Sequence, residues 1–307
     1  MKESTAQLFS LHGRNIFLKI DGYLYLKYIS TYVGIIARAF AVVSRIISDS
    51  NKFIFLPIVR FLTSRYHGKI ILLSDARKII RLDEDVAVPD DVAKSVIPYD
   101  MAYQIIFRNP DSIVAVECAC RNARKHDCQP ANKCLMIGEP FSSFMLEHNR
   151  KANPIKLTRD EALDLLALCK EKGYVTNAYC KDGAGNQMYA ICNCCPECCV
   201  SISAHKLFGS LHIKESSLAH SGYSVSINAR KCGLRKRWDN VACVPICPFG
   251  AISMKEDGSG PAVDPKLCMG CGTCAEACPE HAIEMITSTE RGVPLNIHEL
   301  VPASASK

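Results

Sequence analysis

From Ile20 to Ser48 the run IDGYLYLKYISTYVGIIARAFAVVSRIIS repeats apolar residues at spacings of three and four, which predicts amphipathic helix. Lys27, Arg38 and Arg45 are 11 and 7 residues apart, near whole turns, so they are expected to form one basic stripe opposite the apolar faces. Pro57 is expected to break the next apolar run, Phe53 to Leu62, into short pieces. Ser74-Asp75 then predicts the cap of a helix ending near Arg81, and Pro98 stands at a first helical position before YDMAYQIIFR. SIVAVE, Ser112 to Glu117, predicts a strand that runs directly into Cys118-Ala-Cys120-Arg121. Thr158-Arg-Asp-Glu161 is a capping box ahead of ALDLLALCKEK, with a stop at Gly173. Cys169, inside that helix beside Leu165, Leu166 and Leu168, reads as core packing. YVTNAYC and QMYAIC around the turn-rich KDGAGN predict a β-hairpin that ends at Cys192. Two strands thus end at cysteines.

Composition is ordinary in most respects: 48 % hydrophobic and 22 % charged over 307 residues describes a globular chain of about two domains. Eighteen cysteines are the anomaly. Sixteen fall outside any regular helix or strand period, in clusters at Cys118 to Cys134, Cys192 to Cys199 and Cys232 to Cys278, the spacing of metal ligands. The start MKESTAQLFSLHGRN lacks the apolar core and small-residue cleavage site of a secretory leader, so the thiols are expected in a reducing cytoplasm. Neighbours such as Cys194-Cys195 and Cys198-Cys199 are awkward for simultaneous disulfides. Metal or redox chemistry is the remaining expectation.

Charge is placed unevenly. Residues 1–69 hold ten basic groups against Glu3, Asp21 and Asp49, while the rest of the chain holds 27 basic and 28 acidic, so the formal +6 comes from the N-terminal segment. The longest uncharged run there, Tyr28 to Ala37, is shorter than the roughly 18 apolar residues of a simple span. A membrane-surface helix, a docking surface for a partner and a plain core helix all fit the pattern.

Near the carboxyl end, Cys268-Met-Gly-Cys271-Gly-Thr-Cys274-Ala-Glu-Ala-Cys278-Pro279 matches C-x2-C-x2-C-x3-C-P at every position. Three thiolates on one tight loop wrap three corners of an iron-sulfur cube, and Gly270 and Gly272 let backbone amides approach the sulfides. Zinc is the alternative for such pairs. A second half, Cys232-x10-Cys243-Val-Pro-Ile-Cys247-Pro248, is followed by Ala251-Ile-Ser-Met254 as the first is by Ala282-Ile-Glu-Met285, an internal duplication of about 35 residues. From Tyr223 to Ile286 the chain resembles a two-cluster bacterial-type ferredoxin. The resemblance implies that Cys268, Cys271, Cys274 and Cys247 hold one 4Fe-4S cluster. Arg235 stands where the other half should have its second cysteine, and GLRKRWDNVA is inserted there. Cys232, Cys243 and Cys278 remain. They resemble the 3Fe-4S site of seven-iron ferredoxins; a 4Fe-4S cluster completed by Asp239 and a site without a cluster stay open, and Trp238 is a candidate cover.

The middle of the chain supplies Cys118, Cys120, Cys128, Cys134, Cys192, Cys194, Cys195, Cys198 and Cys199. It resembles cysteine-rich modules that precede ferredoxin domains in anaerobic bacterial proteins. One further 4Fe-4S cluster is expected on Cys120, Cys128, Cys134 and one of Cys194, Cys195 or Cys198, with zinc or free thiols as alternatives. Pro196 is expected to start a helix whose positive end faces the thiolates, and Arg121 to hydrogen-bond them. His126 and His148 are left out as ordinary polar residues. Adjacent Cys-Cys pairs also occur in the catalytic domain of heterodisulfide reductases.

These readings combine into an α+β chain: N-terminal amphipathic helices over 1–68, a small cysteine-rich α/β module over 69–210, a ferredoxin-like α+β domain with duplicated cluster motifs over 211–290 and a flexible tail over 291–307. No nucleotide fingerprint or Ser-His-Asp set is present, and the basic GLRKRW suits an acidic redox partner better than nucleic acid, so no nucleic-acid partner is expected. The expected function is one-electron transfer between redox partners, in the cytoplasm and peripherally on the inner face of the membrane through residues 1–69. The alternatives are an iron-sulfur reductase with a catalytic middle site, and a redox sensor.

Overall fold

The computed structural model describes residues 1–97, 103–232 and 242–300. Arg235, Trp238 and Asp239 of the insertion lie outside the described residues, as do Pro98 and the start of the helix expected from it; the described end of that stretch is not helical but extended, with a strand at Ile106–Phe107.

Four helices open the chain, α1 (Glu3–Ser10), α2 (Ile16–Lys27), α3 (Ile29–Ile46) and α4 (Lys52–Thr63). Leu8, Tyr25 and Leu26 are buried in the main core, so α1 and α2 belong to the body of the protein. α3 and α4 instead share a satellite core with Phe208 and Ile213. The outer face of α3 mixes Ile35, Val42 and Ile46 with Arg38 and Arg45, all exposed, so the arginines do not lie opposite an apolar face but within one. Only those two charges interrupt its 18 residues, and with a mean hydropathy of 1.4 the helix is long and apolar enough to cross a membrane by length and composition. α4 runs through Pro57, because a proline at the sixth helical position forfeits a single backbone bond.

The centre is a seven-stranded sheet. β1 (Tyr66–Ile70) leads to α5 (Leu73–Ile80), whose N-cap is Leu72, so Ser74 and Asp75 lie inside its first turn and do not cap it as expected; β2 (Val86–Ala87) and β3 (Ile106–Phe107), with α6 (Asp90–Val96) between them, form a small side ladder. β4 (Ile113–Glu117), α7 (Ala119–Arg124), β5 (Asn132–Ile137), α8 (Phe141–His148), β6 (Ile155–Leu157) and α9 (Arg159–Glu171) follow. β7 (Val175–Lys181) and β8 (Met188–Cys194) are the expected hairpin, succeeded by α10 (Val200–Ser210) and β9 (Leu218–Ala219). The strand order is β6-β4-β5-β8-β7-β1-β9, antiparallel except for the β1–β9 pair. Period-two alternation splits the residues between two cores: Ile113, Ala115, Leu135 and Ile137 face α5 and α9, while Val114, Val116, Cys134 and Met136 face the N-terminal helices. The capping box of α9 forms as expected, Thr158 and Glu161 bonding each other's backbone amides.

The ferredoxin unit pairs β10 (Tyr223–Ile227) with a late strand, carries α11 (Cys243–Ile246), pairs β11 (Ile252–Met254) with β12 (Pro261–Val263), and closes with α12 (Thr273–Glu276) and β13 (Ile283–Thr287), the partner of β10. Two boundaries differ from expectation. Leu218–Ala219 pairs with β1, so the sheet module extends past residue 210. The tail, expected to be flexible from 291, returns to the sheet module through α13 (Ile297–Leu300): Leu295, Ile297 and Leu300 are buried in the core beside α5, and Lys78 Nζ donates to Asn296 Oδ1 at 2.8 Å. Apolar residues at 293, 295, 297 and 300 supply that docking face.

Candidate iron-sulfur centres

In the ferredoxin unit Cys247, Cys268, Cys271 and Cys274 line one small cavity, as the duplication implies. The ligand loop is shaped by glycine. Gly270 has φ +65°, and a Cβ there would stand 2.1 Å from the Tyr223 carbonyl oxygen. The two halves repeat in detail: the Ala251 amide donates to Cys247 Sγ at 3.2 Å and the Ala282 amide to Cys278 Sγ at 3.3 Å, and Gly250 and His281 share a positive φ before them. Such amide donors stabilise thiolate and cluster charge. Burial raises Cys268 and pushes Cys274 up to about 12, so a bare thiolate without a compensating charge is disfavoured there. Four convergent sulfurs, backbone donors and a loop without side-chain bulk fit a 4Fe-4S cluster. Burial raises Cys243, and the nearby Cys232, Cys278 and Cys247 sulfurs raise it further.

The loop is also held from outside. Lys170, buried at the end of α9, donates from Nζ to the Cys271 carbonyl at 2.8 Å and lies 3.4 Å from Thr273 Oγ1. Arg291 Nη2 donates to the Cys268 carbonyl at 2.9 Å.

In the sheet module β4 and β8 end where β5 begins. Val116 pairs with Cys134 and Cys134 with Cys192, which places these cysteines and Cys118 at one edge. The expected ligand set divides in two. Cys128, Cys195 and Cys198 gather with His126, their ligand atoms all within 4.8 Å of one another. Cys120 and Cys134 belong to a second group with Cys118, Cys192, Cys194 and Cys199 along one cavity wall. Cys198 bridges them, touching Cys118 and Cys128, the latter at 3.5 Å. Hydrogen bonds from Cys120, Cys134 and Cys198 hold Cys118 well below the usual thiol range, and bonds from Cys120 and Cys194 do the same for Cys199.

The cation on this site is not the expected one. Arg121 Nε bonds the Cys128 carbonyl, at 3.0 Å, whereas Lys133 Nζ reaches Cys128 Sγ at 2.7 Å and sits 4.5 Å from the Tyr174 ring centroid. Burial alone would raise Cys128; bonds from Lys133 and His126 outweigh it and bring the thiol below its usual value. The helix expected at Pro196 begins at Val200, with Cys199 as its N-cap, so its positive end meets Cys199. Cys118, Cys192, Cys199, His126 and Lys133 were outside the expected set. Cys120, Cys243 and Cys274 lie in short helices and Cys134, Cys192 and Cys194 in strands, contrary to the expectation that these cysteines fall outside regular elements. Cys169 is buried as expected and pushed up to about 12 by burial, yet it packs with Tyr174, Cys195 and Cys198 instead of an all-aliphatic core.

The 4Fe-4S binding domain family matches residues 261–284, which include Cys268, Cys271, Cys274 and Cys278. One subunit of the Na(+)-translocating ferredoxin:NAD(+) oxidoreductase complex of Acetobacterium woodii is 44 % identical over 48 residues, 16 % of this chain and 14 % of that protein. One subunit of the tetrathionate reductase of Salmonella typhimurium is 42 % identical over 64 residues, 20 % of this chain and 25 % of its own length. One polypeptide of the anaerobic dimethyl sulfoxide reductase of Escherichia coli is 39 % identical over 57 residues, 19 % and 24 %. The chain thus spans a quarter or less of the length of these curated relatives. No solved structure matches. Fold and matches together define a ferredoxin-type iron-sulfur domain at the C-terminus, joined to a cysteine-rich α/β module.

Proposed function

We propose that the chain is an iron-sulfur subunit that relays single electrons between redox protein partners. One observation carries this reading: Lys170 is bonded to the ligand-loop carbonyl of Cys271, while its neighbour Cys169 packs against Cys195 and Cys198, so the two cysteine systems are joined through one buried turn. Cys247, Cys268, Cys271 and Cys274 hold a 4Fe-4S cluster, and Cys232, Cys243 and Cys278 a 3Fe-4S or 4Fe-4S cluster. The middle module adds iron-sulfur centres at the His126, Cys128, Cys195, Cys198 group and at the six-cysteine wall. The iron carries the electron; these residues set its potential through burial, amide donors and the Lys133 and Lys170 charges. The protein works on the cytoplasmic side, attached to the membrane surface by the exposed apolar residues of α3 and α4.

Anaerobic purification with iron and sulfide counting and low-temperature EPR tests the reading. About eleven or twelve irons per chain support three clusters, and about four more a fourth. An iron-free or zinc-only product overturns it.

A further inference from the structure

The wall formed by Cys118, Cys120, Cys134, Cys192, Cys194 and Cys199 bounds a cavity of about 210 Å³ beneath α3 and α4. The free space at the four-cysteine ferredoxin site is about 20 Å³, so the cavity beneath α3 and α4 is far the roomier and can admit an organic ring beside its sulfur wall. Its opposite side is built from Ile36 and Phe40 on α3 and Phe55, Ile58 and Phe61 on α4.

Ile58 and Phe61 line the cavity and are each 58 % exposed, so the cavity opens to the surface along α4. Around that opening Phe53 and Ile54 are 70 % and 74 % exposed, and the outer face of α3 is largely apolar. A ligand entering here comes from an apolar phase. At the inner end Tyr25, Tyr66 and Tyr189 line the wall, the Tyr25 and Tyr189 hydroxyls 2.6 Å apart. Burial holds all three phenols protonated, and because one proton is used in the Tyr25–Tyr189 bond, that pair acts as a unit with one free donor.

We propose that this cavity binds a lipid-soluble quinone, its ring between the sulfur wall and the tyrosine hydroxyls and its tail leaving between α3 and α4. This rests on the electron-transfer reading. The reduced iron-sulfur centres give up two electrons, one at a time, and two protons enter from water. Both quinone carbonyls become hydroxyls, the centres return to the oxidised state, and a reduced redox protein partner refills them. The tyrosines are positioning residues that donate hydrogen bonds to the ring oxygens.

The test uses the full-length, anaerobically purified protein with its clusters, titrated calorimetrically with decylubiquinone in detergent micelles and, separately, with lauric acid. Saturable binding of one decylubiquinone per chain is expected. Ile58→Asp at the mouth should weaken it by about tenfold or more, with iron and sulfide content unchanged. Tyr189→Phe and, as a second head-end variant, Tyr25→Phe should weaken decylubiquinone by about tenfold and leave lauric acid unaffected. The proposal fails if the native protein shows no saturable binding, if Ile58→Asp binds as tightly, or if lauric acid competes equally and both tyrosine variants are silent, which would make the cavity an acyl-chain pocket. Persisting electron exchange with methyl viologen in any of these cases would leave the relay function standing.

Discussion

Single residues set the chemistry of the ferredoxin loop. Gly270→Ala combines a left-handed backbone with a Cβ 2.1 Å from the Tyr223 carbonyl, so the loop must shift. That variant should lose the EPR signal and about four irons of the cluster on Cys247, Cys268, Cys271 and Cys274. Lys170→Met removes a buried cation from the same loop. A positive charge stabilises the reduced cluster, so its loss should lower the midpoint potential by on the order of 60 mV, read in an EPR-monitored redox titration. On β1, opposite Cys180, burial lowers His67 to about 4. The unfolded chain then binds a proton that the folded one does not between about pH 6.5 and 4, so stability falls as pH drops through that window. Between pH 6.5 and 5 the native protein should lose on the order of 1 to 2 kcal/mol more than His67→Gln, measured by denaturant unfolding.

At the scale of elements, local signals in the sequence divided: the capping box and strand alternation held, whereas Pro57 lies inside α4, the helix expected at Pro196 starts at Val200, and Ser74-Asp75 does not cap α5. The Thr158–Glu161 box starts α9, and Thr158→Ala should cost about 1 kcal/mol in urea unfolding. The SIVAVE strand and the β7–β8 hairpin were equally readable from alternation and turn chemistry. Elements whose fate depends on neighbours were not. α2 and α3 each bury one apolar side and expose another, Ile16, Phe17 and Ile20 on α2 and Ile35, Val42 and Ile46 on α3, and periodicity does not say which side meets the protein. Replacing Phe53 and Ile54 with aspartate should reduce binding to anionic lipid vesicles in a flotation assay while iron content holds, because both side chains point away from the core.

Across the molecule, the ferredoxin ligands were legible because spacing on one loop dictates them. The middle ligands were not, since strand register decides which sulfurs meet: Cys134 lies opposite Cys192, and Cys128 turns away to His126. Lys133 and Lys170 carry no motif and emerge only from packing. The chain leaves the sheet after Leu218–Ala219, builds the ferredoxin unit, and is anchored again where Leu295, Ile297 and Leu300 enter the core. A unit pinned at both its entrance and its exit cannot swing like a tethered shuttle. Transit between the two cysteine systems then proceeds at fixed separation, and its rate after a laser-flash reduction should be indifferent to added glycerol, whereas exchange with an external protein should slow as the solvent thickens.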